Sequence, residues 1–534
     1  MITSTQKTAR TQSGISPYSG NWGPTEVIHL LRRTLFGATK ADIDYYSGKS
    51  MSDAVDEILS PSGFTPSPPV NNYNNGRITD PDIALGKTWV NGPYNAALNG
   101  ARRNSLRAWW VGQMVHQEKT IREKLTLFWH NHFPTELTAI GDPIYGYNYQ
   151  QLLRENCLGD FKKLVKLITL DPAMLIYLNG SSNTKNAPDE NYSRELQELF
   201  TLGKGEDSEY TESDVQEAAR VLTGWRINRT NYTSYFNPNL HDTGDKTFST
   251  FFGNKVIKGQ TGANGADELD ELLDMIFNEE EVAKFICRRL YMWFVYYEID
   301  ATTETNVIEP LADVFRNNNY QIKPVLETLF KSEHFFDVAN QGCLIKSPTD
   351  FTVGLMRQFG VEYPDDTDVA DQYYFWRLTS DICALQQQNV GEPPNVAGWP
   401  AYYQAPQFHE IWINSDTLPK RNQISDIMIA VGVVRNGKKI VIDPIKVAEM
   451  FDTPDNASAL VDDLLGYLHT LAVSADQKEH MRSFLLSGQA ASYWEKAWND
   501  YQADPTNATL KATVNLRLQG LLKYIMNLGE YQLS

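Results

Sequence analysis

Ile121-Arg122-Glu123-Lys124-Leu125-Thr126-Leu127-Phe128-Trp129-His130-Asn131-His132-Phe133 is the stretch whose reading decides the fold. Residues 121, 125, 128, 129 and 132 recur three and four apart and share one stripe of a helical wheel, while Pro134 marks where the helix stops. His132 lies in that stripe and is expected to be buried, with His130 on the opposite side. On a strand two histidines at i, i+2 would share a face; a helix turns them about 200° apart.

The same spacing recurs outward in both directions, over 25–36, 149–170, 191–202, 211–222, 266–297, 307–315, 347–359 and 368–385, and it joins 107–133 into one long helical run. Strand signals are sparse. The best is the Phe-rich run 246–258, with Gly253-Asn254 at its turn. The expected fold is mostly α: a large multi-helix domain with one small β-hairpin and a smaller C-terminal helical subdomain. The expected boundaries are an N-terminal tail over 1–24, the helical domain over 25–440 with a long Pro-, Asn- and Gly-rich loop between 60 and 97, and the C-terminal subdomain over 441–534. The last part carries shorter amphipathic segments, from 447 and over 459–471, 476–486 and 510–528.

Composition narrows the function. With 534 residues, 42% hydrophobic and 21% charged, the chain is ordinary globular material. Its 48 basic against 66 acidic residues leave a net charge of −18 and no basic patch, which argues against nucleic acid. No apolar run reaches the ~20 residues of a membrane span. Met1 to Ser19 lacks the apolar core of a signal peptide, so the expected location is cytoplasmic, with export by another route left open. Cys157, Cys287, Cys343 and Cys383 have no C-x-x-C spacing and are expected to be buried small hydrophobes.

Four segments carry candidate chemistry. The first holds His132. In the second, Glu190 to Gly203, a wheel started at Tyr192 puts Glu195 among Leu196, Leu199, Phe200 and Leu202, with Glu198 at the edge. A carboxylate facing a core demands a cation, a metal, donors or a proton. Arg289, in the apolar sector of 285–295, offers one answer, a buried Glu195–Arg289 ion pair. The other answer is a core site in which Glu195, Glu198 and His132 gather, with His132 and Glu195 as ligands of a divalent metal. The third segment, His241-Asp242-Thr243-Gly244-Asp245-Lys246, is either a polar turn or a cluster of acid–base groups. The fourth, Asn389 to Pro400, places Asn395 and Trp399 on a rigid loop, suited either to stacking against a sugar or to packing beneath the loop itself.

Taken together, these motifs resemble the bacterial family called domain of unknown function 1800 (DUF1800). The resemblance is carried by Leu30 to Gly37, Phe128 to Phe133, Glu190 to Leu196, Glu198 to Gly203, Leu222-Thr223-Gly224-Trp225, His241-Asp242, Lys246, Pro393-Pro394-Asn395-Val396 and Gly398-Trp399. It implies that the residues chosen by the wheel belong to the family's signature, and that a sulfatase-like protein is a partner. Where many relatives have His this chain has Phe200, which takes one imidazole away from any metal site there. Two readings stay open. One is a metal-dependent, hydrolase-like enzyme with Glu195, Glu198, His132, His241 and Arg289 as catalytic groups and Trp399, Asn395 and Lys246 on the substrate. The other is a non-catalytic protein that binds a glycan or assembles with a protein partner.

Overall fold

A computed structural model describes residues 10–534 except 64, 76, 206 and 207. It is mostly α: 58% of it is helical, and its sheets are small two-stranded pairs. Local chemistry sets where helices start. Asp160 caps Phe161–Leu170, Asp171 caps Pro172–Tyr177, Ser347 caps Pro348–Gln358, and Thr211 with Asp214 forms a capping box on Glu212–Val221.

Long runs of helical spacing are broken into pairs. The run 107–133 divides into Asn99–Val115 and Arg122–His132, and 266–297 into Glu268–Phe277 and Glu280–Phe294. Arg122–His132 lies at the centre: every residue from Glu123 to His132 is buried. It ends where expected, Phe133 leaving the helix before Pro134. Asn99–Val115 runs along Val369–Leu385.

The expected hairpin is present, Lys246–Thr247 pairing antiparallel with Val256–Ile257. Two more occur that were not expected. Trp225–Asn228 pairs with Thr233–Phe236, and Val433–Arg435 with Lys438–Ile440 across an Asn436-Gly437 turn. Within the long irregular excursion that follows Ser60, the described residues are tied down by a buried Asp80–Arg102 ion pair at 2.8 Å.

One continuous apolar core joins these elements and includes the helices after 441. Thr417–Ala430 packs on Ala508–Asn527, and Lys346 N–H donates to the Gln532 carbonyl at 2.8 Å. Residues 1–9 of the expected tail lie outside the described residues. From Arg10 onward the chain is strapped to the body, with Arg10 stacked on the Tyr296 ring and Ser13 Oγ donating to Asp337 at 2.8 Å.

Candidate functional site

The Glu190 to Gly203 segment departs from α geometry. Asn191–Glu195 is α-helical, but Leu196–Thr201 is a π-helical turn, in which Leu202 N–H reaches the Gln197 carbonyl at 2.9 Å and Thr201 Oγ1 reaches the Leu196 carbonyl at 2.5 Å. Such i→i+5 turns are rare and cluster at functional sites. Gly203 ends it at φ +79°, and a Cβ there would lie 2.6 Å from the Phe285 ring, so only glycine lets the chain leave along Glu280–Phe294. The wider turn buries Leu196, Gln197, Phe200 and Thr201 and leaves Glu195 and Glu198 half-buried.

Glu195 is unpaired. Among the described residues its carboxyl makes no hydrogen bond and no ion pair, so the expected Glu195–Arg289 pair is not formed. Burial, and then the charge of Glu198, push its pKa up to about 6. Glu198 itself bridges to the exposed Lys204 at 2.8 Å. Tyr177 stands nearby: its hydroxyl donates to Glu136 at 3.1 Å, and burial followed by the fields of Glu136, Glu195 and Glu392 raises its pKa. Glu392 accepts from Thr138 Oγ1 at 2.7 Å.

His132 is buried, as its stripe requires, but in an aromatic nest of Phe128, Trp129, Phe133, Phe161, Phe200 and Phe285. Its Nε2 donates to the Phe200 carbonyl at 3.1 Å, so that nitrogen carries hydrogen and presents no lone pair to a metal. Among the described residues no three His, Cys, Asp or Glu side chains are grouped to hold a metal ion. His132 Nδ1 keeps a lone pair, buried with no partner among the described residues, and no third His, Cys, Asp or Glu joins His132 and Glu195 there. Burial, and then Arg289, depress His132 to about 3. Arg289 is half-buried and, among the described residues, has no hydrogen bond or ion pair; burial lowers it to about 10 against the pull of Tyr403.

His130 corrects the wheel. It does not face solvent: it is 1% exposed, set edge-on to Trp110. A helix buried on every side has no outward face.

His241 and Lys246 belong to another cluster. His241 Nε2 meets one oxygen of Glu268 at 3.1 Å, Lys246 Nζ meets the other at 2.6 Å, and Gln260 N–H adds a third bond at 2.7 Å. All three side chains are buried. Burial opposes ionisation of Glu268, but the bonds from His241 and Lys246 outweigh it and hold its pKa down. Lys246 is thus held inside the protein rather than presented to a substrate, and His241 is not gathered with His132 and Glu195. Asp242 completes the loop by accepting Arg220 at 2.9 Å.

The 391–403 loop is docked on the central helix. Trp399 N–H donates to Asn131 Oδ1 at 2.9 Å, and Gly398, at φ +82°, is where a Cβ would collide with that same amide. Trp399 is 2% exposed, so it packs beneath its loop and offers no ring face to a sugar. Asn395 is exposed and hydrogen-bonded to the Tyr403 hydroxyl at 2.9 Å.

Glu268 had no sequence signal beyond the acids of its own first helical turn, and Glu136, Tyr177 and Glu392 had none. With the signature residues placed, the comparison with protein families is decisive: the model described as "Protein of unknown function (DUF1800)" matches residues 29–533. The chain belongs to the DUF1800 family. The bounds of the DUF1800 match take in the Arg32-Arg33 pair, the π turn and the last helix. Neither the curated proteins nor the solved structures gave a match.

Proposed function

We propose that the π turn is the acid–base site of a hydrolase-like enzyme, with Glu195 as the group that exchanges the proton and Glu198 as the neighbouring charge that tunes it. The supporting observation is that Glu195 is a half-buried carboxyl with no direct partner among the described residues. Elsewhere in the fold buried acids are tied, as Glu123 is to Arg154 at 2.7 Å and Asp80 to Arg102. A carboxyl near 6 is partly protonated at neutral pH, which suits general acid catalysis on a leaving oxygen. Tyr177 then positions Glu136 beside it, and Arg289, unpaired on the adjoining helix, is the cation for a substrate anion.

A binding role without catalysis rests on the exposed Asn395 and its bond to Tyr403, next to Arg289. On that reading a glycan or a sulfatase-like partner is the ligand, and Asn395 rather than Trp399 makes the contact.

The two readings part in one experiment. A panel of chromogenic aryl glycosides and aryl esters is assayed across pH with the wild type, Glu195→Gln and Glu198→Gln. The enzyme reading expects turnover with a limb near pH 6, a loss of about a hundredfold or more in Glu195→Gln with the fold intact, and a limb moved to lower pH in Glu198→Gln. No turnover across the panel, or full turnover by Glu195→Gln, overturns it.

A further inference from the structure

Helix Pro24–Thr34 ends in Arg32-Arg33-Thr34, and all three residues are buried. Arg32 is used by the chain: Nη1 donates to Thr470 Oγ1 at 2.5 Å and Nη2 to the Tyr467 carbonyl at 2.8 Å. Arg33 is used only in part. Its Nη2 donates to the Asn340 carbonyl at 2.9 Å and to Cys343 Sγ at 3.2 Å, while Nε and Nη1 are buried with no acceptor among the described residues. A guanidinium keeps its charge inside a protein, so those two N–H groups are an unmet demand for negative oxygen.

Two neighbours carry the same demand. Trp293 Nε1 is buried with no acceptor. His409 Nδ1 accepts the Ile345 N–H at 3.1 Å, which puts the proton of the neutral ring on Nε2, and Nε2 is also buried with no acceptor. Burial, and then the charge of Arg33, lower His409 to about 4, so at neutral pH it is an uncharged donor and the site's charge comes from arginine and lysine.

Arg33, Trp293 and His409 line one cavity together with Arg32, Lys124, Ser347 and Asp350. Among the described residues Asp350 is the one carboxylate side chain there, and Ser534, whose main-chain carboxyl pairs with Leu344, also lines the cavity. Asp350 is already engaged, taking Lys124 on one oxygen and Ser347 Oγ, at 2.9 Å, on the other. The space is about 40 Å³, against the ~10 to 15 Å³ that one water needs by the same measure. Water can accept from a pair of these donors but gives Arg33 Nε and Nη1 no charged acceptor.

We propose that this cavity is a binding site for a small tetrahedral oxyanion of sulfate or phosphate type, held by Arg33 Nε and Nη1, Trp293 Nε1 and His409 Nε2. The donors come from three separate elements, the end of Pro24–Thr34, Glu280–Phe294 and the Phe408–Trp412 turn. Such convergence suits oxygens pointing in four directions better than the two coplanar oxygens of a carboxylate. Glu195 is not among the residues lining the cavity, and the proposal does not depend on the reading given for it.

Calorimetric titration of the full chain at pH 7.5 with sodium sulfate, sodium phosphate and sodium acetate, each against sodium chloride at equal ionic strength, tests this. Saturable binding of one sulfate or phosphate per chain is expected, with a change in tryptophan fluorescence. Arg33→Met should weaken it at least about tenfold, the scale of a lost charged hydrogen bond. Trp293→Phe and His409→Phe each remove one donor while keeping an aromatic ring, and each should weaken it severalfold; they carry the test if Arg33→Met does not fold. No saturable heat beyond chloride, unchanged affinity in both aromatic variants, or acetate binding as tightly as sulfate overturns the proposal.

Discussion

Lys246 Nζ lies 2.6 Å from Glu268 Oε2, and neither side chain is exposed. A charge pair removed from water is balanced only while both members remain, and His241 on the other oxygen adds to the balance without contributing a full charge when neutral. Lys246→Met should therefore cost about 3 to 5 kcal/mol of stability, and the double variant Lys246→Met with Glu268→Gln should recover much of that loss. Thermal melts of the three variants measure it. A double variant no more stable than Lys246→Met would show that the pair is not the source of the loss.

Glu195 gives a pH signature of its own. Its pKa in the folded protein, about 6, is above the ordinary carboxylate range, so the folded state holds this proton more tightly than the unfolded chain. The stability it contributes is complete below that range and is lost as pH rises through about 6. Melting curves should show Glu195→Gln gaining on the wild type across this window, and carbon NMR should find the titration moved to lower pH in Glu198→Gln. A Glu195 titrating like an exposed glutamate would count against the half-buried placement.

Buried imidazoles act with the opposite sign. Burial lowers His130 and His469 to about 4 and His29 and His132 to about 3. Each stays neutral when folded, so its stability contribution is complete above about 6.5 and is lost as pH falls towards the folded values. The melting temperature should fall steadily below pH 6.5. At pH 7.5, His130→Ala and His132→Ala should each cost about 2 to 5 kcal/mol, as large-to-small changes in a closed core do. A near-silent His130→Ala would mean that its ring is wetter than its place against Trp110 implies.

The helical body could be read from spacing alone, because three- and four-residue periodicity is a property of each segment by itself. Partnership could not. Glu268 meets His241 and Lys246 from a separate helix, and nothing local marks it off from the other acids of Glu268–Phe277. The wheel put Glu195 in a closed stripe and His130 on an outward face: Glu195 is half-buried because Leu199, Phe200 and Leu202, its expected neighbours, lie past the start of a π turn, and His130 lies on a helix with no outward face. Asn436-Gly437, a plain hairpin signal, was missed among the helical segments around it. Nothing local marks Arg32 and Arg33 as interior; only the fold, which brings Asn340 and Tyr467 over them, makes them so.

The π turn at Leu196–Thr201 has a genetic meaning as well as a geometric one. A π turn amounts to one residue more than the same stretch of α-helix would use. Deleting a single residue between Leu196 and Thr201 would let the helix relax to ordinary i→i+4 bonding, a locally favourable change. It would also swing Glu198 to another side and pull Gly203 out of register with Phe285. Away from Glu198 the turn is thus expected to tolerate many substitutions but almost no change in its length, so one insertion or deletion would disable it as surely as loss of Glu195.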